Sequence, residues 1–368
     1  MDSVFNSWHI FLLRILYFIS PFFCCRMRKT TLVFAMLVMR PVRVEDCDDL
    51  YRLAQMAGSG MTSLPANKAA LKHNIEVAME SFNRLIRDKD DYFLLVMEDT
   101  ETKKVIGTSG VYARTGSRQA FYAYRIMSVT HYSHSLNREA RSGLLHLTND
   151  YTDCSEVGTL FLDPEYRGNG HWLSRCRYML MAQHPQRFAP DVIAELRGVI
   201  DERGESPVWN AIGAPFFGMT YDEADRLCGV GSNQFITELM PKYPIYTNML
   251  SEAARMALGR PHQQTKRAMD LLLAEGFVYE NLIDIFDGGP LVRAQIDQIK
   301  SVKAVQTLEV TFKEPEGDAK AVMCANRSLD DFRLVYEPMS VTPNRVSMPA
   351  EVGQMLNVRE GNQVMVIE

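Results

Sequence analysis

Short apolar segments alternate with amphipathic ones over most of the chain. Residues 37–42 (LVMRPV) are strand-like, and residues 92–99 (YFLLVMED) and 105–113 (VIGTSGVYA) flank a polar turn as the strands of a hairpin do. Residues 44–57 and 67–87 lie between the first two of these segments and carry apolar side chains at helical spacing. The pattern predicts a mixed α and β fold that opens with a strand, two helices and a hairpin.

A strand, a glycine turn and a helix then follow one another without a break. Residues 157–164 (VGTLFLDP) are nearly all apolar, as a buried strand requires, and residues 171–184 have the length of a short helix. The turn YRGNG, at 166–170, joins the two. Such a turn presents free backbone N–H groups at the positive end of a helix dipole, and this arrangement suits a pyrophosphate.

Four residues of the turn are the candidate phosphate ligands: Arg167, Gly168, Asn169 and Gly170. Arg167 is long enough to reach a phosphate oxygen, and the two glycines permit a close approach that a Cβ would block. The glycines match neither GxxxxGK[ST] nor GxGxxG, which disfavours a nucleoside triphosphate or a dinucleotide. An ordinary glycine turn is the alternative, because a short glycine motif is weakly diagnostic on its own.

The second half of the chain also mixes helix-like and strand-like segments, and its end contains short strand-like pieces. Residues 221–228, 232–240 and 264–275 are helix-like, and residues 278–286 form a strand-like segment that runs into DGGP. Residues 304–368 contain short strand-like pieces. The sequence therefore predicts a small β-rich appendage at the C-terminal end.

Composition narrows the class of protein. A chain of 368 residues suggests two domains, or two and a small appendage, and 46% apolar residues are ample for a large core. The formal net charge of −5 gives no global field that would attract nucleic acid. The seven cysteines form no CxxC pair and no metal-ligand spacing, so we expect reduced thiols. Cys154 and Cys176, near the glycine turn, are expected to be small buried residues rather than nucleophiles.

The N-terminal segment has two interpretations. Residues 8–25 are strongly apolar but are interrupted by Arg14 and Pro21, and basic residues follow at 26–29. They form either a membrane anchor with the basic cluster on the cytoplasmic side, or an extension ahead of a native start at Met36. We favour the start at Met36, because Arg14 alone costs ~2.5 kcal/mol or more at the centre of a bilayer.

The order of elements resembles the GNAT acetyltransferase fold, and seven sequence blocks make a narrower resemblance specific. In chain order they are TSLP (62–65), TLFLDP (159–164), GNG (168–170), RGVIDE (197–202), ELMPK (238–242), PIYT (244–247) and IDIFDGGP (283–290). Together they resemble the arginine N-succinyltransferase family, from about residue 36 to about residue 300. The resemblance implies succinyl-CoA as donor, arginine as acceptor, no permanently bound cofactor and a role in arginine catabolism.

The resemblance also implies a domain organisation. We expect an α+β, GNAT-like fold with two GNAT-like units in tandem and a small β-rich C-terminal appendage. The acyl-CoA-binding unit would span 36–200, the second, acceptor-binding unit 201–303, and the appendage 304–368. Residues 1–35 would form the apolar extension.

Two catalytic candidates and one donor-binding residue follow from the family. The family binds succinyl-CoA through the leucine of its TLFL strand, which is Leu160. Its proton donor is the histidine of an MPKHP-like segment, where this chain has Tyr243. A well-placed phenol, with an ordinary pKa of ~10, can protonate a thiolate whose thiol has an ordinary pKa of ~8.5. His262, in GRPH, matches another histidine of the family and is the second candidate. The alternatives are a packed aromatic residue at Tyr243 and a capping or surface histidine at His262.

Arginine as acceptor needs a carboxylate for its guanidinium and a cationic partner for its own carboxylate. Asp284 and Asp287, in the DGGP segment, are candidates for the first task, and Arg197 or Arg125 for the second. Ser63 lies in the loop between the first two helices, which in GNAT folds often faces the acceptor. Each of these residues has a purely structural alternative.

Two other functions stay open. A chain without the family's histidine could serve as a non-catalytic subunit that pairs with an active paralogue, or the acceptor could be ornithine. We expect a cytoplasmic protein, where acyl-CoA is available, in a homo-oligomer or hetero-oligomer. We expect no nucleic-acid partner, and membrane contact only if residues 8–25 are an anchor.

Overall fold

The structure, a computed structural model, describes residues 36–58, 61–117, 120–230, 234–315 and 319–368. They belong to one compact unit, Ala35–Glu368. Both interpretations of residues 8–25 concern a segment outside the described residues. No helix in the described ranges is both long enough and apolar enough to cross a bilayer.

The first part of the chain forms the predicted strand, two helices and hairpin. These elements are β1 (Leu37–Pro41), α1 (Cys47–Ala57), α2 (Lys68–Asn83), β2 (Tyr92–Asp99) and β3 (Val105–Tyr112). Helix α2 begins where Asn67 caps it, since the Asn67 side chain accepts hydrogen bonds from two main-chain N–H groups of the first turn. The bounds agree with the sequence pattern to within a few residues.

The middle of the chain adds a long hairpin and then the strand, glycine turn and helix. These elements are β4 (Ala123–Ser133), β5 (Arg138–Thr148), β6 (Ser155–Leu162), α3 (Gly170–Gln183) and β7 (Asp191–Glu195). The predicted succession of buried strand, YRGNG turn and helix is confirmed.

The next part is mostly helical and then returns to the sheet. Its elements are α4 (Ala214–Phe217), α5 (Tyr221–Val230), α6 (Gln234–Leu239), β8 (Ile245–Tyr246), α7 (Glu252–Ala257), α8 (Lys266–Glu275), β9 (Val278–Ile283) and β10 (Pro290–Gln295). Helix α8 ends where Gly276 adopts a left-handed conformation, with φ +104°.

The C-terminal part is rich in strands, as predicted. It contains α9 (Lys300–Ala304), β11 (Gln306–Phe312), β12 (Lys320–Ala325), β13 (Leu334–Val341), β14 (Arg345–Met348), α10 (Ala350–Met355) and β15 (Gln363–Ile367). Its own core, which includes Val310, Val346 and Val364, packs on one side of these strands.

One sheet runs through all of these parts. Its order is β12-β15-β11-β14-β13-β1-β2-β3-β6-β7-β10-β9-β4-β5-β8. Helix α3 packs through Trp172 and Leu173 into a core on one face, and α1 and α2 pack through Leu50 and Leu71 on the other. The α+β, GNAT-like fold expected from the sequence is confirmed by this element order and by the helices on both faces.

The sheet does not break at the predicted domain boundary near residue 200. Strand β7 lies before that boundary and β10 after it, and the two pair antiparallel over five residues from Asp191 to Glu195. The division into units at 36–200, 201–303 and 304–368 therefore stays a proposal about organisation, within one continuous sheet.

We expect a chain that starts at Met36 to fold without the first 35 residues. Strand β1 begins at the next residue, and the main chain of Met36 already exchanges hydrogen bonds with Thr100. Far-ultraviolet circular dichroism and a cooperative thermal transition would verify this. The control is a chain that starts at Val42 and lacks β1. It should fail to fold, because β1 lies between β13 and β2 and hydrogen-bonds to both. Loss of soluble protein only on removal of residues 1–35 would contradict the expectation.

Candidate active site

The sheet is open between two neighbouring parallel strands. Strands β6 and β7 pair at only two positions, Ser155 with Val192 and Glu156 with Ile193. Their outer edges are held separately, because β6 pairs with β3 and β7 pairs with β10. The two strands do not pair beyond Glu156, so the ladder between them has a gap along residues 157–162 and 194–195. We call this gap the β6–β7 opening.

A bulge in β6 lies beside the opening. Thr159 has a φ of +50°, which is rare for a β-branched residue, and the register with β3 shifts at this point. The side chain of Thr159 is buried, and its Oγ1 lies 2.8 Å from the hydroxyl of Tyr92. The bulge leaves Thr159 and Leu160 outside the regular ladder with β3 and turns their peptide groups relative to the sheet. Leu160 is half-buried and packs at the margin of the core under α3.

The glycine turn lies at the end of β6 and at the start of α3. Gly168 has a φ of +110°, a conformation that L residues rarely adopt, so the turn itself requires glycine there. Gly170 has no such requirement, and a Cβ added at either glycine would meet no atom within 4 Å. The turn therefore has open space beside both glycines, and its predicted role as a phosphate ligand stays a prediction.

Arg167 and Asn169 differ in what they can offer a ligand. The side chain of Arg167 is exposed, and within the described residues it makes no hydrogen bond or ion pair. The amide of Asn169 is already engaged, because it donates to the carbonyl of Tyr166 at 3.0 Å and accepts from Trp172 Nε1 at 3.0 Å. Asn169 gives α3 no side-chain cap, so the first N–H groups of the helix stay available at its positive end.

The loop that contains the DGGP segment is hydrogen-bonded to the chain just after β7. Asp287 accepts hydrogen bonds from the main-chain N–H of Gly198 at 2.7 Å and of Gly289 at 2.8 Å. Asp284 accepts from the N–H groups of Phe286 and Asp287, at 2.7 and 2.8 Å. A Cβ at Gly198 would collide with this loop, which explains the glycine. The DGGP loop is thus held by two inward-pointing carboxylates.

The two aspartates are enclosed by protein, and this changes their acidity. Burial, together with the neighbouring Asp287 carboxylate, raises the pKa of Asp284 well above its ordinary value. Burial also raises the pKa of Asp287, although hydrogen bonds from Gly198 and Gly289 act against the rise. Asp284 and Asp287 therefore have a structural role in the loop, and their predicted role toward a guanidinium stays a proposal.

His262 and Arg197 lie at the same end of β7. The main-chain N–H of His262 donates to the carbonyl of Arg197 at 2.7 Å, and Nδ1 of His262 accepts from the N–H of Gln264 at 3.2 Å. Burial and the nearby Arg197 guanidinium lower the pKa of His262, so the ring is neutral and carries its proton on Nε2. Nε of Arg197 is buried without a hydrogen-bond partner in the described part of the chain.

Other predicted site residues lie apart from this group. The Tyr243 side chain is 87% exposed, in the loop before β8, and no described residue hydrogen-bonds to its hydroxyl. It is therefore not the packed aromatic residue considered as an alternative. Ser63 is half-buried in the loop between α1 and α2, next to the buried Leu64. Arg125 is paired with Asp150 at 2.6 Å, so it is less available to a substrate carboxylate than Arg197.

Two glutamates at the opening were missed by the sequence analysis. Glu156 lies in β6 at the last position that pairs with β7, and Glu195 is the last residue of β7. A signal existed, since Glu156 directly precedes the predicted apolar strand 157–164 and Glu195 lies in the strand-like AELRGVI segment, residues 194–200. Only the pairing of the two strands, however, brings these side chains to one place.

The cysteines, possible metal ligands and hollows of the described residues support no other chemistry at the β6–β7 opening. Burial raises the pKa of the Cys176 thiol to about 12 and that of Cys154 to about 11, so neither is a thiolate at neutral pH. No group of three His, Cys, Asp or Glu side chains in the described ranges could hold a metal ion. Two hollows of about 430 and 620 Å³ lie elsewhere, around Arg84 and Asp330 and around Asn326 and Asn357.

An opened pair of parallel strands, a bulge at its edge and a glycine turn at a helix N-terminus define the class. This is a GNAT-like acyl-CoA N-acyltransferase. Comparison with known proteins narrows the class. Residues 37–301 match the family described as arginine N-succinyltransferase beta subunit. The chain therefore belongs to the arginine N-succinyltransferase family.

Its relatives match over nearly their whole length. The arginine N-succinyltransferase of Escherichia coli (strain 55989) is 41% identical over 335 residues, which are 90% of this chain and 97% of that protein. The arginine N-succinyltransferase of Shigella flexneri is 40% identical over the same shares. The solved structure of arginine/ornithine succinyltransferase subunit AI from Pseudomonas aeruginosa superimposes with a TM-score of 0.82 at 32% identity, covering 91% of this chain and 99% of that one.

Two glycine variants should separate ligand binding from folding at the glycine turn. Gly170→Val should raise the KM for succinyl-CoA about tenfold or more with little change in Tm, since a Cβ at Gly170 meets no atom within 4 Å and the side chain would stand over the helix N-terminus. Gly168→Val should lower the Tm as well, because its φ of +110° costs a β-branched residue about 1–3 kcal/mol.

The matched control is Ala350→Val, which places the same side chain on the exposed first residue of α10. It should leave both KM and Tm unchanged. Steady-state kinetics and differential scanning fluorimetry give the two readouts. An unchanged KM in Gly170→Val would remove the turn from the donor site.

Proposed function

We propose that this chain is a succinyl-CoA:L-arginine N-succinyltransferase, which moves a succinyl group from succinyl-CoA to the α-amine of arginine in arginine catabolism. The observation that carries the proposal is the match of residues 37–301 to the arginine N-succinyltransferase family. The open strand pair and the exposed glycine turn supply the geometry that such a transfer needs.

The donor would lie along β6 and end at the glycine turn. Its pyrophosphate would accept hydrogen bonds from the first N–H groups of α3, with Gly168 and Gly170 leaving room and Arg167 adding a positive charge. The pantetheine arm would run through the β6–β7 opening, where unpaired main-chain groups resemble an empty position for one more strand. Leu160, next to the bulge, would contact the succinyl-thioester end.

The transfer needs no covalent enzyme intermediate. The lone pair of the acceptor amine attacks the thioester carbonyl carbon, the C–S bond breaks, and the CoA thiolate leaves and takes up a proton. The bulge at Thr159 takes peptide groups out of the regular ladder with β3, and N–H groups freed in this way would stabilise the oxyanion.

The acceptor would bind at the carboxyl end of β7. The guanidinium of Arg197, with its unpartnered Nε, and the Nε2–H of His262 are the donors that the α-carboxylate of arginine requires. Asp284 and Asp287 would accept hydrogen bonds from the guanidinium through the lone pairs that the loop leaves free. Ser63 would approach the acceptor from the loop between α1 and α2.

The cellular setting follows from the substrates. The donor is a cytoplasmic metabolite, so we place the reaction in the cytoplasm. The Pseudomonas aeruginosa structure is of a subunit by its description, and we propose that this chain also acts in an oligomer, with itself or with a paralogous subunit.

The direct test is CoA release from succinyl-CoA by the purified chain, with product mass measured at the same time. Arginine should give the highest kcat/KM in a panel that contains ornithine, lysine, citrulline and Nα-acetylarginine. Nα-Acetylarginine, whose α-amine is blocked, should give none. A higher kcat/KM for ornithine than for arginine would identify ornithine as the acceptor. If the purified chain turns over no amine, the hypothesis of a non-catalytic subunit is favoured.

Tyr243 and His262 remain the candidates for the proton that the leaving thiolate takes up. Tyr243→Phe removes only the hydroxyl, and it should lower kcat at least tenfold with the KM for succinyl-CoA nearly unchanged. Tyr243→His should retain or raise activity and move the pH optimum downward, since imidazole titrates near ~6.5. The matched control is Tyr246→Phe, an exposed tyrosine three residues away. Full activity in Tyr243→Phe would leave His262 as the remaining candidate, to be tested as His262→Gln.

A further inference from the structure

Among the described residues, the sheet has one open end. At the other end β12 pairs with β13 as well as with β15, so those strands close on themselves. The open end consists of β5 and the two-residue strand β8, which pairs with β5 only at Leu144 and Leu145. Residues 138–142 of β5 therefore have no described strand on their outer side.

This free edge lies on a hairpin that projects from the sheet. Strand β4 pairs with β9 only at Tyr124 and Arg125, whereas it pairs with β5 along its whole length without a bulge. Residues 127–142, which we call the hairpin arm, include no buried residue. A two-stranded ribbon is marginally stable without a further strand or a covered face, and an unpaired strand edge readily accepts another strand. The arm thus offers the position of a third strand.

The limits of the free edge place its midpoint at Ala140. On one side β5 begins at Arg138, directly after the turn of the hairpin. On the other side a Cβ at Gly143 would lie 2.5 Å from Oγ1 of Thr247, so the chain after β8 covers the edge there. The uncovered stretch is residues 138–142, and Ala140 is at its centre.

The charges of the free edge are self-complementary about the same midpoint. When two copies of β5 pair antiparallel about Ala140, Glu139 of each copy lies opposite Arg141 of the other, and the two-fold axis produces this pair twice. Opposite charges that face each other across two strands stabilise the pairing, and like charges weaken it. A centre at Glu139 or at Arg141 would place two identical charges opposite each other.

Both charged groups are available for such pairs. Glu139 and Arg141 are exposed, and no described residue forms an ion pair with the carboxylate of Glu139. Arg141 donates from Nε to Oγ of Ser128 at 2.7 Å. Its two terminal nitrogens make no contact of this kind in the described ranges, so they can bind a carboxylate in the bidentate manner.

Exposed apolar side chains lie at both ends of the same edge. Leu136, at the tip of the arm, is 74% exposed, and Tyr246 and Met249, on β8 and just after it, are 44% and 83% exposed. In the register about Ala140, position 136 of one copy comes level with Leu144 of the other, which pairs with Tyr246. The tip of each arm would therefore reach the apolar surface beside β8 of the other copy.

We propose that the edge of β5 is a homodimer interface, at which two copies of this chain pair antiparallel about Ala140 and continue the sheet from one copy into the other. The inference deepens the proposed function, since it names the partner and the surface of the oligomer put forward there. It depends on that oligomer and not on the reaction, so the two can fail separately.

The first test is a charge exchange followed by sedimentation equilibrium of the full chain. The wild type should have twice the mass of one chain. Glu139→Arg and Arg141→Glu should each raise the Kd of the dimer about tenfold or more, because each places like charges opposite one another twice. The double variant should return the Kd to near the wild-type value, since both pairs are restored with their signs exchanged.

The matched control is Glu360→Arg, which makes the same change of charge at an exposed turn before β15. It should leave the Kd of the dimer unchanged. Circular dichroism and Tm of every variant, compared with the wild type, show that a change in mass does not come from unfolding.

The second test is a disulfide across the two-fold axis. Ala140→Cys places the thiols of the two copies opposite each other, so mild oxidation should give a covalent dimer on non-reducing electrophoresis. Arg138→Cys, on the same edge, should give none. Its two copies lie four residues apart along the paired strands, which exceeds the ~7 Å between Cα atoms that a disulfide can bridge. The wild type supplies the background.

The outcomes decide the proposal without reference to turnover. A wild type that is monomeric, alone or only in complex with a paralogous subunit, overturns it. A dimer with the same Kd in both single variants has its interface elsewhere, and this also overturns it. A double variant that stays as weak as the single ones, or a crosslink through position 138 rather than 140, refutes the register. If a charge variant does not fold, the two cysteine variants still decide. A dimer that transfers no succinyl group would refute the proposed function alone.

Discussion

The candidate site depends on the limited pairing of two strands. Strands β6 and β7 are neighbours in the sheet, but they pair at only two positions. A gap in a sheet is costly when its N–H and C=O groups are buried without partners. Here the gap stays open because each strand is held from its other side, β6 by β3 and β7 by β10. The unpaired edges are then free for a ligand that can replace a strand, as an amide-rich pantetheine arm can.

The two parallel strands that border the opening are followed by different structural features. After β6 the chain passes through a turn in which Gly168 is required by its own backbone, and this turn starts α3 with uncapped N–H groups. After β7 the carboxylate of Asp287 joins Gly198 to Gly289, which lies just before β10. Both features lie at the carboxyl ends of the two strands, on the two sides of one gap. In the proposed function, phosphate and acceptor would be received there by different strands.

The parts of this arrangement that are local in sequence could be predicted. The strand, the YRGNG turn and α3 follow one another directly, and hydrophobic pattern and glycine placement were enough to find them. The positions set by long-range pairing were not accessible in the same way. Glu156 and Glu195 are 39 positions apart and meet only because β6 and β7 are parallel neighbours. Strand β9 was predicted from residues 278–286, but β8, β10 and a sheet that continues from β7 to β10 across residue 200 were not.

The carboxyl groups around the opening differ in what holds them. Asp284 and Asp287 each accept two hydrogen bonds from main-chain N–H groups, and these bonds hold the DGGP loop. Glu195 lies among three other acids, which favour its neutral form. Glu156 stands at the edge of this group, where burial raises its pKa and where no described residue hydrogen-bonds to its carboxyl group. The acids that fix the loop after β7 are thus distinct from the acids on the two strands that border the opening.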